Sequence, residues 1–64
     1  MAFSMAFDTT GTAFDDGPRE EVARILRDAA DAIEYGPRER EGTLRDHHGG
    51  IVGRWILVGI GEAP

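Results

Sequence analysis

The chain lacks cysteine and lysine altogether, and its seven bases, all arginine, face twelve aspartates and glutamates. Without cysteine there is no disulfide framework and no thiol-based zinc or redox motif, so apolar packing alone must hold the fold. A formal charge of −5 on 64 residues argues against direct contact with nucleic acid, whose phosphates demand cations. Long hydrophobic runs are missing too. The start, Met1 to Phe7, is apolar, but it carries no basic leader and reaches Asp8 too soon for a signal peptide or a membrane span. The length permits one domain, residues 1–64, and a domain of about 60 residues buries only roughly 60% of the surface its unfolded chain exposes. Little room remains for a core and a deep substrate pocket together, so an enzyme is not expected.

What is present falls into three parts. Phe3, Met5 and Phe7 alternate with Ser4, Ala6 and Asp8, the period of a half-buried strand, and predict a first strand near residues 2–8. Thr9 to Thr12 read as a turn, and Ala13 and Phe14 lead into Asp15-Asp16-Gly17-Pro18, a helix entrance. Pro18 suits the first helical position, where an N–H would have no partner, and Asp16 or Gly17 is the expected N-cap. Val22, Ile25, Leu26, Ala29 and Ile33 then recur at helical spacing up to Tyr35, after which Gly36 is expected in the left-handed region and Pro37 forbids continuation. The opposite face holds Glu20, Arg24, Arg27, Asp28, Asp31 and Glu34, with Glu20–Arg24, Arg24–Asp28 and Arg27–Asp31 at i,i+4 spacing.

Residues 38–42 read as a charged linker. Thr43 to Asp46 and Ile51 to Val58 predict two strands of a hairpin around His47-His48-Gly49-Gly50. Ile51, Gly53, Trp55 and Leu57 share the face turned to the helix, with Gly53 a point of close helix or backbone approach. Residues 59–64 read as a fraying tail. The order β-α-β-β predicts an α+β, two-layer fold: one helix on a three-stranded antiparallel sheet of strand order 1-3-2, the most apolar strand at the centre. The expected core is Phe3, Met5, Phe7, Val22, Ile25, Leu26, Ala29, Ile33, Leu44, Trp55 and Leu57. Ala6, Val52, Ile56 and Val58 would lie on the far face, a surface through which an interaction module could dimerise.

Little here points to catalysis or to a cofactor. His47 and His48 are adjacent, so in extended backbone they point apart, and Asp46 is the only nearby carboxylate; an exposed turn accounts for them better than a metal site. Asp15, Asp16, Glu20 and Glu21 lack the cleft that acid-base chemistry needs, and helix-entrance chemistry explains them. No base stands beside Ser4, Thr9, Thr10, Thr12 or Thr43, and the glycines around Ile51 form no phosphate loop. The distribution of charge says more. Residues 1–17 carry −3 from Asp8, Asp15 and Asp16; residues 18–35 hold five acids against three arginines; residues 36–64 hold four of each. The surplus therefore sits around the helix entrance, at Asp8, Asp15, Asp16, Glu20 and Glu21, and extends along the helix through Asp28, Asp31 and Glu34. Such a surface either keeps the protein soluble or docks on a basic groove.

The run Glu21-Val22-Ala23-Arg24-Ile25-Leu26-Arg27-Asp28-Ala29-Ala30-Asp31, with Gly42-Thr43-Leu44-Arg45-Asp46 and Val52-Gly53-Arg54-Trp55, resembles a family of very small phage and prophage proteins over about residues 7–58. Where their hairpin reads like Asn-Gly-Asn, this chain has His47-His48-Gly49-Gly50. Size, acidity and βαββ order look most like phage-encoded anti-CRISPR proteins that inhibit the type I-C system. The resemblance implies a non-enzymatic inhibitor, without cofactor, acting in the cytoplasm of a bacterial host. Its acids Asp8, Asp15, Asp16, Glu20, Glu21, Asp28, Asp31 and Glu34 would stand in for DNA phosphates on a Cas8-type subunit of the surveillance complex and block target recognition. A monomer is expected over a homodimer.

Overall fold

Strand β1 spans Ala2–Phe7 and is followed by a short 3₁₀ turn, Thr12–Phe14; helix α1 covers Pro18–Tyr35, and strands β2 (Glu41–Arg45) and β3 (Ile51–Val58) close the chain as a hairpin. The computed structural model describes residues 2–58, so the tail expected at 59–64 lies outside the described residues. The three strands form one antiparallel sheet in the order β1-β3-β2. The α+β fold is therefore the one the sequence predicts. Among the described residues, no helix is long and apolar enough to cross a membrane.

The alternation of β1 puts Phe3, Met5 and Phe7 opposite Leu57, Trp55 and Gly53 on the helix side of the sheet. Gly53 is needed because a Cβ there would lie 2.0 Å from the Ala6 carbonyl oxygen, so it is β1, not the helix, that approaches. Residues 41 and 42 belong to β2 rather than to a linker. Gly42 faces Trp55 across the ladder, and a side chain on it would collide with the indole. Between Leu44 and Arg45 the register slips: Leu44 pairs with Gly53 but Arg45 with Ile51, which leaves Val52 as an extra residue of β3. Such a bulge breaks the alternation of faces. Val52, expected on the far face, accordingly packs against the core, while Ile51, expected on the helix side, is exposed.

The core consists of Ala13, Phe14, Ile25, Ala29, Leu44 and Trp55, with Met5, Phe7, Val22, Ile33, Val52 and Leu57 partly buried against it. Ala13 and Phe14 do not merely lead into the helix. The 3₁₀ turn folds them inward, and Phe14 stacks on Phe7 with ring centroids 6.5 Å apart. Helix α1 leans mainly on this turn and on β2 rather than on β1. Two expected core residues are therefore left half uncovered: Phe3, stacked on Trp55 at 6.3 Å, is 50% exposed, and Leu26 is 46% exposed.

The start of the helix agrees with expectation and its end differs in detail. The N-cap is Gly17, and no side chain caps the first turn, so the Asp16 carboxylate is not spent there. Gly36 ends the helix in an extended conformation, φ −83°, rather than a left-handed one. Glycine is required there for a different reason: a Cβ would sit 2.6 Å from the Ala32 carbonyl oxygen, which accepts the Gly36 N–H.

Candidate functional site

The end of β1, the 3₁₀ turn and the first turn of α1 meet at one end of the domain, joined by the Phe7–Phe14 stack. Asp8 follows Phe7 and Asp15 follows Phe14, so that stack also sets the acids around it. The Asp8 carboxylate accepts the Thr10 N–H at 2.9 Å and the Thr10 hydroxyl at 3.0 Å. Those two bonds, the backbone one foremost, hold its pKa below the usual carboxylate value. Asp15 and Asp16 are exposed between the 3₁₀ turn and α1, and Glu20 is exposed in the first turn, where the positive end of the helix dipole favours it. Among the described residues, the carboxylates of Asp15, Asp16, Glu20, Asp31 and Glu34 have no hydrogen-bond or ion-pair partner within bonding distance.

Glu21 behaves differently. It is only 6% exposed, and its carboxylate closes a network instead of facing solvent. Oε1 accepts the Arg24 Nε–H at 2.8 Å, and Oε2 accepts both Arg24 Nη2 at 3.0 Å and the backbone N–H of His47 at 2.7 Å. The bidentate Arg24 contact chiefly, with the His47 N–H adding to it, lowers the Glu21 pKa to about 2. Arg24 also donates to Asp28 at 2.7 Å and to the Arg45 carbonyl at 2.9 Å. The expected Glu20–Arg24 pair thus gives way to Glu21 at i,i+3, while the Arg24–Asp28 pair forms. Glu21 leaves the set of exposed docking acids, because burial and three accepted hydrogen bonds commit it to the fold.

The hairpin side of this network was not legible as such in sequence. The turn is organised by Asp46, whose Oδ1 accepts the N–H groups of His48 and Gly50, and Gly49 takes the left-handed conformation, φ +86°, that closes it. His47 does more than decorate the turn. Its Nε2 lies 3.0 Å from the Ala13 carbonyl oxygen, an acceptor only, so Nε2 carries the hydrogen. With its backbone N–H on Glu21, this one residue ties the hairpin to both the 3₁₀ turn and α1.

Between α1 and β2 runs a cleft of about 560 Å³, floored by Ile25, Ala29, Leu44 and Trp55 and rimmed by Arg24, Asp28, Thr43, Arg45, Asp46 and His47. Both of its arginines are already engaged. Arg24 is bonded as above, and Arg45 donates to the Gly49 carbonyl at 2.9 Å. Among the described residues no group of three histidines or carboxylates is placed to hold a metal ion.

Along α1 the exposed stripe opposite Ile25 and Ala29 reads Glu20, Arg27, Asp31 and Glu34, three acids and one base. The surplus of acids over bases is largest around Asp8, Asp15, Asp16 and Glu20. Asp31 and Glu34, also unpartnered among the described residues, extend it along α1, whereas Asp28 is paired with Arg24. Scans against protein-family models, curated proteins and solved structures found no match to the chain.

Proposed function

We propose that this protein is a non-enzymatic inhibitor that docks through its acidic helix-entrance end on a basic, DNA-reading protein surface. The observation that carries the reading is the state of Asp15, Asp16 and Glu20: within six residues of one another at the helix entrance, exposed, and unpartnered among the described residues. Groups kept in water without a partner cost the fold nothing to retain and are free to meet cations elsewhere. The resemblance to inhibitors of the type I-C system supplies the identity of the partner, the Cas8-type subunit of the surveillance complex. There the carboxylates of Asp8, Asp15, Asp16 and Glu20, seconded by Asp28, Asp31 and Glu34, stand in for target-DNA phosphates in the host cytoplasm.

The test is competition for DNA. The purified chain is expected to displace a target duplex from the type I-C surveillance complex, with apparent affinity falling as salt is raised. The triple variant Asp15→Arg/Asp16→Arg/Glu20→Arg is expected to lose at least about tenfold in that affinity. Full displacement by the triple variant, or binding that ignores salt, removes the reading.

A second reading has one observation in its favour. Ile56 and Val58 are exposed on the far face of the sheet, opposite Ser4 and Ala2 in register, a surface suited to a homodimer of a structural or regulatory module. A dimeric solution mass that Ile56→Lys returns to monomer, without displacement of DNA by the wild type, supports it instead.

A further inference from the structure

The sheet has two outer edges, and only one of them is guarded. An exposed strand edge is a template for further pairing, and proteins blunt it with charges, prolines, bulges or a covering element. Strand β2 carries Glu41 and Arg45 at its ends, meets β3 through the slipped rung, and has α1 leaning on it, with Arg24 bonded to the Arg45 carbonyl. Strand β1 has none of these devices. Ala2-Phe3-Ser4-Met5-Ala6-Phe7 holds no charge, no proline and no register shift, in a chain that is 30% charged.

The phase of the hydrogen bonds determines what that edge presents. The Asp8 N–H donates to the Val52 carbonyl at 2.9 Å, and on the other side of β3 the Leu57 N–H donates to the Arg40 carbonyl at 2.6 Å. Bonded and non-bonded pairs alternate along an antiparallel ladder, so the backbone groups of Ser4 and Ala6 bond Ile56 and Arg54, whereas those of Phe3, Met5 and Phe7 point away from the sheet. Among the described residues nothing pairs with them. Their side chains form the helix-side row of β1, where α1 leaves Phe3 half exposed.

We propose that this edge pairs with the same edge of a second copy of the chain, antiparallel and centred on Met5, to give a two-fold, six-stranded sheet. In that register Phe3 faces Phe7 of the second copy and Met5 faces its own counterpart. All the outward N–H and carbonyl groups of Phe3, Met5 and Phe7 are then bonded, and the bare Phe3 ring gains an apolar neighbour. Charge selects this occupant. A chain of net charge −5 repels its own copy, but β1 is uncharged, and the antiparallel register sets Asp8 of each chain beside Ala2 of the other. The two Asp8 residues then lie about 20 Å apart at ~3.4 Å per residue, well beyond the screening length of about 8 Å at physiological ionic strength. A parallel pairing would set them side by side. A basic segment of another protein finds no carboxylate along β1 to hold it. The inference is independent of the docking reading, since the two acidic helix entrances stay at opposite ends of the joined sheet.

The experiment follows the isotopically labelled full chain by sedimentation equilibrium and amide hydrogen exchange from about 10 μM to about 1 mM, a range suited to an interface below standard size. At the upper end the mass should approach twice that of the chain. The amides of Phe3, Met5 and Phe7 should slow at least about tenfold with concentration, while those of Ser4 and Ala6, already bonded to β3, change little. Ser4→Lys places a charge on the edge and keeps the backbone bonds to Ile56; association should weaken at least about tenfold, although the added cation lowers the net charge. Ile56→Lys, one strand further in, should stay within about twofold of wild type. A chain that remains monomeric throughout overturns the proposal, as does undiminished association of Ser4→Lys. Slow exchange at Phe3, Met5 and Phe7 that ignores concentration overturns it too, by placing a segment of the same chain on the edge. A dimer in which those amides stay fast, or which Ile56→Lys dissolves, moves the contact to the far face of the sheet and overturns it equally.

Discussion

The hairpin side of α1 and its entrance side are equally rich in charge, but they use it in opposite ways. On the hairpin side, Glu21, Arg24, Asp28, His47 and the Arg45 carbonyl form a closed network, and no buried side-chain polar atom among the described residues is left unpaired. On the entrance side, Asp15, Asp16 and Glu20 stand in water, and the turn is held to the body of the domain by the apolar packing of Ala13 and Phe14 and by the His47 bond to the Ala13 carbonyl. Glu20 and Glu21 are neighbours in sequence. One turns towards Gly17 at the surface; the other, about 100° further round the helix, turns under the hairpin. Charge that closes a network holds the fold together, and charge left open is available to a partner.

The largest effect should come from breaking the closed side. Glu21→Ala leaves the Arg24 Nε–H and the His47 N–H without their acceptor, while Arg24 keeps Asp28 and the Arg45 carbonyl, and we expect thermal unfolding to show a Tm lower by about 5 °C or more. A Tm unchanged within error would mean that the network is incidental to stability.

Acid titration separates the same two sides without removing a side chain. Because the folded pKa of Glu21 is depressed to about 2 from a usual 4.5, its contribution is fully present above pH 4.5 and is lost as the pH falls towards 2. Asp8, also lowered, contributes with the same sign. Denaturant unfolding at a series of pH values should show stability falling through this window in the wild type and a flatter profile in Glu21→Gln; parallel profiles would assign the acid sensitivity to other carboxylates.

A smaller effect should distinguish the two histidines. His47→Ala loses the bond to the Ala13 carbonyl but keeps its backbone N–H on Glu21, for an expected loss of about 1 kcal/mol. His48→Ala should fall within about 0.5 kcal/mol of wild type, since only its backbone N–H is bonded, to Asp46. Equal losses in equilibrium unfolding would deny His47 its role as the tie.

The smallest change in stability is expected on the open side. Asp15→Arg and Asp16→Arg should each stay within about 0.5 kcal/mol of wild type, because neither carboxylate is bonded within the described residues, and Glu20→Arg, which also reverses a charge favoured by the helix dipole, within about 1 kcal/mol. A loss well beyond that would reveal a structural duty and would blunt the contrast between the two sides.

Much of the scaffold was legible from local pattern. Pro18 and the Gly36-Pro37 pair bracket α1 at the predicted residues, and the period of two in Phe3, Met5 and Phe7 places β1 within a residue of its observed end. The apolar run from Ile51 to Val58 also gave β3 its central place, since the middle strand has no free edge and both its neighbours pair with it. What was missed depends on contacts between distant segments. Ala13 and Phe14 are too short a stretch to show a period, and only the fold of the 3₁₀ turn onto Phe7 buries them. Val52 looks like a far-face residue by strict alternation, and a single slipped rung moves it. Phe3 and Leu26 satisfy the pattern of core residues, but one helix of this length, leaning towards β2 and the 3₁₀ turn, cannot cover a three-stranded sheet evenly.

The candidate site divides along the same line. Its position, where three uncompensated aspartates precede a helix carrying two glutamates in its first turn, is a fact of composition and spacing. The division of labour within it is not. Glu20 and Glu21 are chemically identical, and no local pattern distinguishes an acid facing solvent from one that will meet an amide 26 residues away. The sequence by itself determined the order and type of the elements, the net charge and where its excess lies, because helix period, strand alternation and charge are local properties. Only the tertiary structure decided which carboxylate is sealed by Arg24 and His47, which remain open, and that Leu26 is left half uncovered, because those outcomes depend on how far one helix can reach across the sheet.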